Sequence, residues 1–145
     1  MGRILAIDYG LRRTGLAVSD PLQIIAGALD TVATSELMPY LKRYVAENEV
    51  STIVVGKPKR MDGSMSDSWK QIEPFVGRLR REFSGIDVVL YDERFTSVLA
   101  HRTMLESGIG RMARRDKALV DRISATIILQ DYMQSRSMQP DSGRE

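Results

Sequence analysis

A chain of 145 residues with 43% hydrophobic and 28% charged residues has the size and make-up of one soluble globular domain, which excludes wholesale disorder and a second large core. The formal net charge of +2 and the sequence pI near 9.0 neither require nor exclude an anionic partner, and the absence of cysteine excludes disulfides, thiolate metal sites and a thiol nucleophile. No apolar stretch is long enough to span a bilayer, and Met1-Gly2-Arg3-Ile4 leads at once into a segment too brief for a signal sequence, so a cytoplasmic location without a membrane partner is expected.

From the start, Ile4 to Asp8, Gly15 to Ser19 and Ile24 to Leu29 are short apolar segments separated by the turn-rich pieces Tyr9-Gly10-Leu11-Arg12-Arg13 and Asp20-Pro21-Leu22. Connectors that short favour an antiparallel meander. Ser35 is placed to cap a helix carrying Leu37, Leu41 and Val45 on one face, with Pro39 near its first turn. Thr52-Ile53-Val54-Val55-Gly56 reads as a buried strand. Trp69, Ile72, Val76, Leu79 and Phe83 mark a helical region in which Pro74 should give a kink or a fresh start. Ile86 to Asp92 is a further strand, Thr96 to Ser107 a helix, and Lys117 to Gln134 the last helix. Gly108 to Asp116 is a basic, glycine-bearing loop, and 135–145 a flexible polar tail beyond a single domain spanning 1–134. This order defines an α/β fold: a mixed five-stranded sheet, three-strand antiparallel meander plus parallel strands, with helices on both faces.

Three carboxylates stand where such elements end or turn. Asp8 closes Ile4-Leu5-Ala6-Ile7, Glu93 follows Val88 to Asp92, and Asp121 interrupts the apolar pattern of Leu119, Val120, Ile123, Ile127 and Ile128. Carboxylates beside a core are costly without a cation, so the three point to a metal site or to basic partners. Sites in such sheets gather at the carboxyl ends of strands. Asp8 and Glu93 fall at such ends, and small Ser124 and Ala125 let Asp121's helix approach. Arg12 and Arg13 lie between Gly10 and Gly15, which describes a phosphate-gripping turn and a glycine hairpin with solvated arginines about equally well. Lys57, Lys59 and Arg60 form a basic loop near Asp62, while Arg111, Arg114 and Arg115 form a candidate lid over a nucleic-acid backbone. Lys117 shares Asp121's helix face. Arg94 pairs locally or binds substrate, Thr96 and Ser97 are natural helix caps, and His101 is an ordinary surface residue rather than a base. Trp69 and its neighbours are core rather than a stacking platform, and Tyr9 either points into the groove or packs beneath it.

Ala6-Ile7-Asp8-Tyr9-Gly10 with Arg13-Thr14-Gly15-Leu16-Ala17, Val54-Val55-Gly56-Lys57-Pro58 with Met61-Asp62-Gly63, Asp92-Glu93-Arg94-Phe95-Thr96-Ser97, and Lys117 to Asp121 with Ser124-Ala125 together resemble the YqgF (RuvX) family. Lys57 and Leu99 depart from its usual pattern, at positions that are not proposed ligands. The resemblance implies a ribonuclease H-like fold, kinship with Holliday junction resolvases, and a metal-dependent nuclease maturing the 5′ end of pre-16S rRNA. It implies Asp8, Glu93 and Asp121 as ligands of Mg²⁺ or Mn²⁺, two ions about 4 Å apart, with Asp92 or Asp62 contributing further oxygens. Resolvases of this superfamily commonly end the strand after the meander in a carboxylate. Here that strand ends in Gly56-Lys57-Pro58-Lys59, and Glu93, one strand later, substitutes. The partner is nucleic acid, pre-rRNA or branched DNA, bound by a monomer or weak homodimer. A junction resolvase and a weakly catalytic nucleic-acid-binding module remain as alternatives. A phosphate-handling ATPase, suggested by the Asp-x-Gly turn, is disfavoured because such folds clasp nucleotide between two domains.

Overall fold

The computed structural model describes residues 2–57, 69–92 and 117–138, with the backbone alone for Lys57, Asp92, Lys117, Ala118 and 136–138. Its strands are β1 (Arg3–Asp8), β2 (Arg13–Ser19), β3 (Ala26–Ala33), β4 (Val50–Lys57) and β5 (Asp87–Asp92). Its helices are α1 (Leu37–Glu47), α2 (Trp69–Glu82) and α3 (Lys117–Met138), with a 3₁₀ turn at Thr34–Glu36 ahead of α1. The five strands form one sheet in the order β3-β2-β1-β4-β5. β1 and β3 flank β2 antiparallel, whereas β4 runs parallel to β1 and to β5. The expected mixed sheet is therefore the one formed.

Alternation along β1 explains why its sequence is apolar throughout. Leu5 and Ile7 face α1 and α2, where they are buried with Leu37, Leu41, Ile72, Phe75 and Leu79. Ile4 and Ala6 face the other way and meet Ala125, Ile128 and Leu129 of α3. A strand covered on both sides has no polar face to display. Small residues, Ala6, Ala17 and Ala125, line the α3 side, which lets this helix lie close to the sheet.

Several local expectations are corrected. Ile24 and Ile25 belong to no strand; they are 67% and 69% exposed, and β3 starts at Ala26. Asp20 Oδ1 accepts their backbone N–H groups at 2.6 and 2.8 Å, and Gln23 adopts a left-handed φ of 60°. That turn chemistry overrides their β-propensity. Ser35 makes no cap: it lies in the 3₁₀ turn, and α1 begins after Glu36 without a side-chain cap bond. Of the two outcomes expected at Pro74, the fresh helix start does not occur, for α2 runs continuously through it. Pro74 and Lys70 are solvent-exposed, so water can take the Lys70 carbonyl that the missing N–H leaves unpaired. α3 also continues past the expected Gln134 end to Met138. The expected helix from Thr96 to Ser107 and the loop from Gly108 to Asp116 lie outside the described residues. Among the described residues, no helix is long and apolar enough to cross a membrane.

Candidate active site

Parallel pairing of β1, β4 and β5 brings their carboxyl ends to one edge of the sheet. Ile7 is level with Val55, and Lys57 with Asp92, so Asp8, Lys57 and Asp92 all close strands at this edge. Asp8 pairs with Gly15 across the β1–β2 ladder. Asp121, in the second turn of α3, sits over that same glycine: a Cβ built on Gly15 would clash with the Asp121 carbonyl oxygen and lie 3.0 Å from the Asp121 Cβ. The missing side chain of Gly15 is what lets a helix carboxylate meet a strand-end carboxylate.

The electrostatics report the same proximity. The Asp8 carboxyl is pushed up to about 7, first by burial and then by the negative charge of Asp121. Asp121 has its own cation: Arg13 Nε donates to its Oδ2 at 3.0 Å. Among the described residues no cation pairs with Asp8.

The turn between β1 and β2 is fixed from behind by a chain of hydroxyls. Thr34 Oγ1 donates to the Gly10 carbonyl at 2.6 Å, so Thr14 Oγ1 is left to donate to Thr34 Oγ1 at 2.9 Å. The Thr34 N–H also donates to the Arg12 carbonyl at 2.9 Å. Tyr9, whose direction the sequence left open, packs in the core against Phe75 with ring centroids 4.8 Å apart.

Of the sequence-derived site residues, Asp8, Asp121 and Arg13 are brought together, and Arg12 is exposed in the adjoining turn. Lys57 ends β4 at the same edge and Lys117 opens α3, one turn before Asp121. Glu93, Lys59, Arg60, Asp62, Arg94, Thr96, Ser97, His101, Arg111, Arg114 and Arg115 lie outside the described residues. Among the described residues, no three carboxylate, histidine or cysteine side chains cluster closely enough to hold a metal. The Asp8–Asp121 pair nevertheless fits one, because two carboxylates, one of them buried and without a cationic partner among the described residues, suit a hard divalent ion such as Mg²⁺ or Mn²⁺. The sequence reading missed the roles of Gly15, Thr14 and Thr34. A glycine inside an otherwise apolar strand was the available signal for the first.

Comparison with solved structures places this geometry. The chain aligns with RuvC of T. thermophilus in complex with a Holliday junction substrate, TM-score 0.59 and 13% identity over 95% of this chain and 97% of that one. It aligns equally with the fowlpox virus Holliday junction resolvase, TM-score 0.58 and 11% identity over 92% and 99% of the two chains. The class is thus a ribonuclease H-like fold in which a strand-end carboxylate, Asp8, meets a helix carboxylate, Asp121.

Sequence comparison narrows the class. The family model "RuvX: Holliday junction resolvase" matches residues 2–135. A protein of Bacteroides thetaiotaomicron named "Putative pre-16S rRNA nuclease" is 56% identical over 136 residues, covering 94% of this chain and 99% of its own. One of the same name from Porphyromonas gingivalis is 56% identical over 133 residues, covering 92% and 96%. The chain belongs to the RuvX (YqgF) family.

Proposed function

We propose that the chain is a metal-dependent nuclease that hydrolyses phosphodiester bonds in the 5′-end maturation of pre-16S rRNA. The observation that carries this reading is the meeting of Asp8 and Asp121 across Gly15, with Asp8 held near pKa 7 and without a protein cation among the described residues. A bound Mg²⁺ or Mn²⁺ supplies water activation and stabilisation of charge on the phosphoryl oxygens. Asp8 and Asp121 hold the ion, and Glu93 is the third ligand. Arg12, Lys57, Lys59, Arg60, Arg111, Arg114, Arg115 and Lys117 bind the nucleic-acid backbone around the site. Arg13 serves the same partner by a route argued below. RNA is favoured over branched DNA by the names of relatives at 56% identity. The name of the matching family model favours a second reading, cleavage of four-way DNA junctions.

The test is cleavage of precursor 16S rRNA, four-way junctions and simple duplexes with and without Mg²⁺ or Mn²⁺, by wild type, Asp8→Asn and Asp121→Asn. Metal-dependent cleavage of the rRNA, falling on the order of 10²-fold or more in both variants, is the expected result. Equal activity in the variants would sink the assignment, and cleavage confined to junctions would select the second reading.

A further inference from the structure

The two carboxylates of the site are attended unequally. Asp121 accepts a hydrogen bond from Arg13 Nε at 3.0 Å, whereas Asp8 has no cationic partner among the described residues. The Arg13–Asp121 pair is also accessible, with side chains 42% and 23% exposed. It is made through Nε, so Nη1 and Nη2 have no protein partner among the described residues. Those two nitrogens form the planar fork that suits phosphate oxygens.

We propose that Arg13 is an exchangeable cation: it holds Asp121 until a divalent ion takes that carboxylate, and its freed guanidinium then binds a non-bridging oxygen of the substrate phosphate. The inference rests on the metal-nuclease reading above. Competition for Asp121 drives the exchange. A divalent ion held by Asp8, Asp121 and the proposed ligand Glu93 needs the Asp121 oxygens, one of which Arg13 Nε occupies. The ion then replaces Arg13 as the counter-charge of Asp121, and the released guanidinium is left to meet an arriving phosphodiester, at −1. Arg13 is placed for this transfer because it opens β2 immediately after the Tyr9–Arg12 turn, at the rim of the strand-end edge. Side-chain rotation alone can redirect it, since its exposed guanidinium is held by one bond among the described residues. The turn beneath is fastened by the Thr34 bonds, so the backbone of the segment stays in place while the side chain changes partner.

A fixed strut would behave oppositely. If Arg13 merely positioned Asp121, its removal would weaken metal binding; if it competes, removal strengthens it. Calorimetric titration with Mn²⁺ alone, without RNA, separates the two for wild type, Arg13→Gln, Arg12→Gln and Asp8→Asn. Arg13→Gln is expected to bind Mn²⁺ about two- to fivefold more tightly, the range of a half-exposed ion pair. Arg12→Gln removes the same charge from the same turn without touching Asp121, and leaves affinity near wild type. Asp8→Asn weakens binding and so verifies that the heat comes from this site. Unchanged or weaker binding in Arg13→Gln overturns the exchange, as does an equal gain in Arg12→Gln. Failure of Asp8→Asn to weaken binding would instead overturn the metal reading itself. The phosphate half is read from the affinity for precursor 16S rRNA with Ca²⁺ as the ion. Arg13→Gln should lower the slope of log K against log salt by about 0.7–0.9, one phosphate contact; an unchanged slope overturns that half.

Discussion

Gly15 lies directly beneath Asp121: the space its side chain would fill is taken by the Asp121 carbonyl oxygen, and the Asp121 Cβ is 3.0 Å from the Cβ position. Gly15 also pairs with Asp8 in the β1–β2 ladder. One missing methyl group therefore sets the approach of the two carboxylates. Gly15→Ala must push α3 away from the sheet, because a backbone carbonyl cannot rotate aside like a side chain. The expected cost in stability is about 1–3 kcal/mol. Nuclease activity is expected to fall further than unfolding explains, by on the order of tenfold. Melting and cleavage rates on the same sample, below the melting range, check this. Wild-type cleavage in a destabilised variant would show that α3 yields without moving Asp121.

The pH behaviour of Asp8 has a definite sign. Its folded-state pKa of about 7 lies above the ordinary 3.8, so between those values the folded chain binds a proton that the unfolded chain has released. Stability of the metal-free protein therefore falls as pH rises from about 4 to 7, and the cost is fully present above 7. Asp8→Asn removes the ionisation. At pH 8 without metal it is expected to melt several degrees higher than wild type, because a pKa raised from 3.8 to about 7 opposes the ionised form by several kcal/mol. At pH 4 the two should coincide. Calorimetry at both pH values with a chelator present decides it, and equal melting temperatures at pH 8 would contradict the burial of an ionisable Asp8.

The sheet was legible because β1, β4 and β5 are apolar runs bounded by turn residues, a pattern that requires cover on both faces. Asp8 stood out for the same reason, as a carboxylate closing such a run. What pattern alone did not show was the competition between local hydrogen bonding and β-propensity. Ile24 and Ile25 look like strand until Asp20 is known to hold both amides. Ser35 looks like a cap, although Thr34 supplies the hydroxyl that matters and spends it across the fold on Gly10. Arg13 reads equally as a phosphate ligand and as a solvated hairpin arginine, and its pairing with Asp121 spans 108 positions in the sequence, which no local spacing rule reaches.

Thr34 joins the entry to α1 with the turn that follows Asp8. Its hydroxyl donates to the Gly10 carbonyl and accepts from Thr14, which is fully buried. Thr34→Val keeps the shape and removes both bonds, leaving a buried hydroxyl and a part-buried carbonyl unsatisfied. The expected loss is about 1–3 kcal/mol. Thr14→Val in the same background should add little, because its partner is already gone. A double-mutant cycle by urea unfolding measures this; strictly additive losses would mean that the two hydroxyls act independently.

Glu93 is the proposed third ligand of the metal. β4 and β5 run parallel, with Lys57 level with Asp92, so Asp92 closes β5 at the edge at which Asp8 ends β1. β4 delivers a lysine there and not a carboxylate. Asp8 and Asp121 alone leave a divalent ion short of protein oxygens, and Glu93 is the next carboxylate along the chain from that edge. Glu93→Gln keeps size and polarity while removing the charge. Cleavage is expected to fall on the order of 10²-fold, Mn²⁺ affinity to fall with it, and the melting temperature in chelator to hold or rise as a negative charge leaves the site. Asp92→Asn should change cleavage far less. Calorimetric titration beside a cleavage assay tests both. If Asp92→Asn is the damaging substitution and Glu93→Gln is neutral, the third oxygen comes from the strand's last residue and the assignment moves by one position.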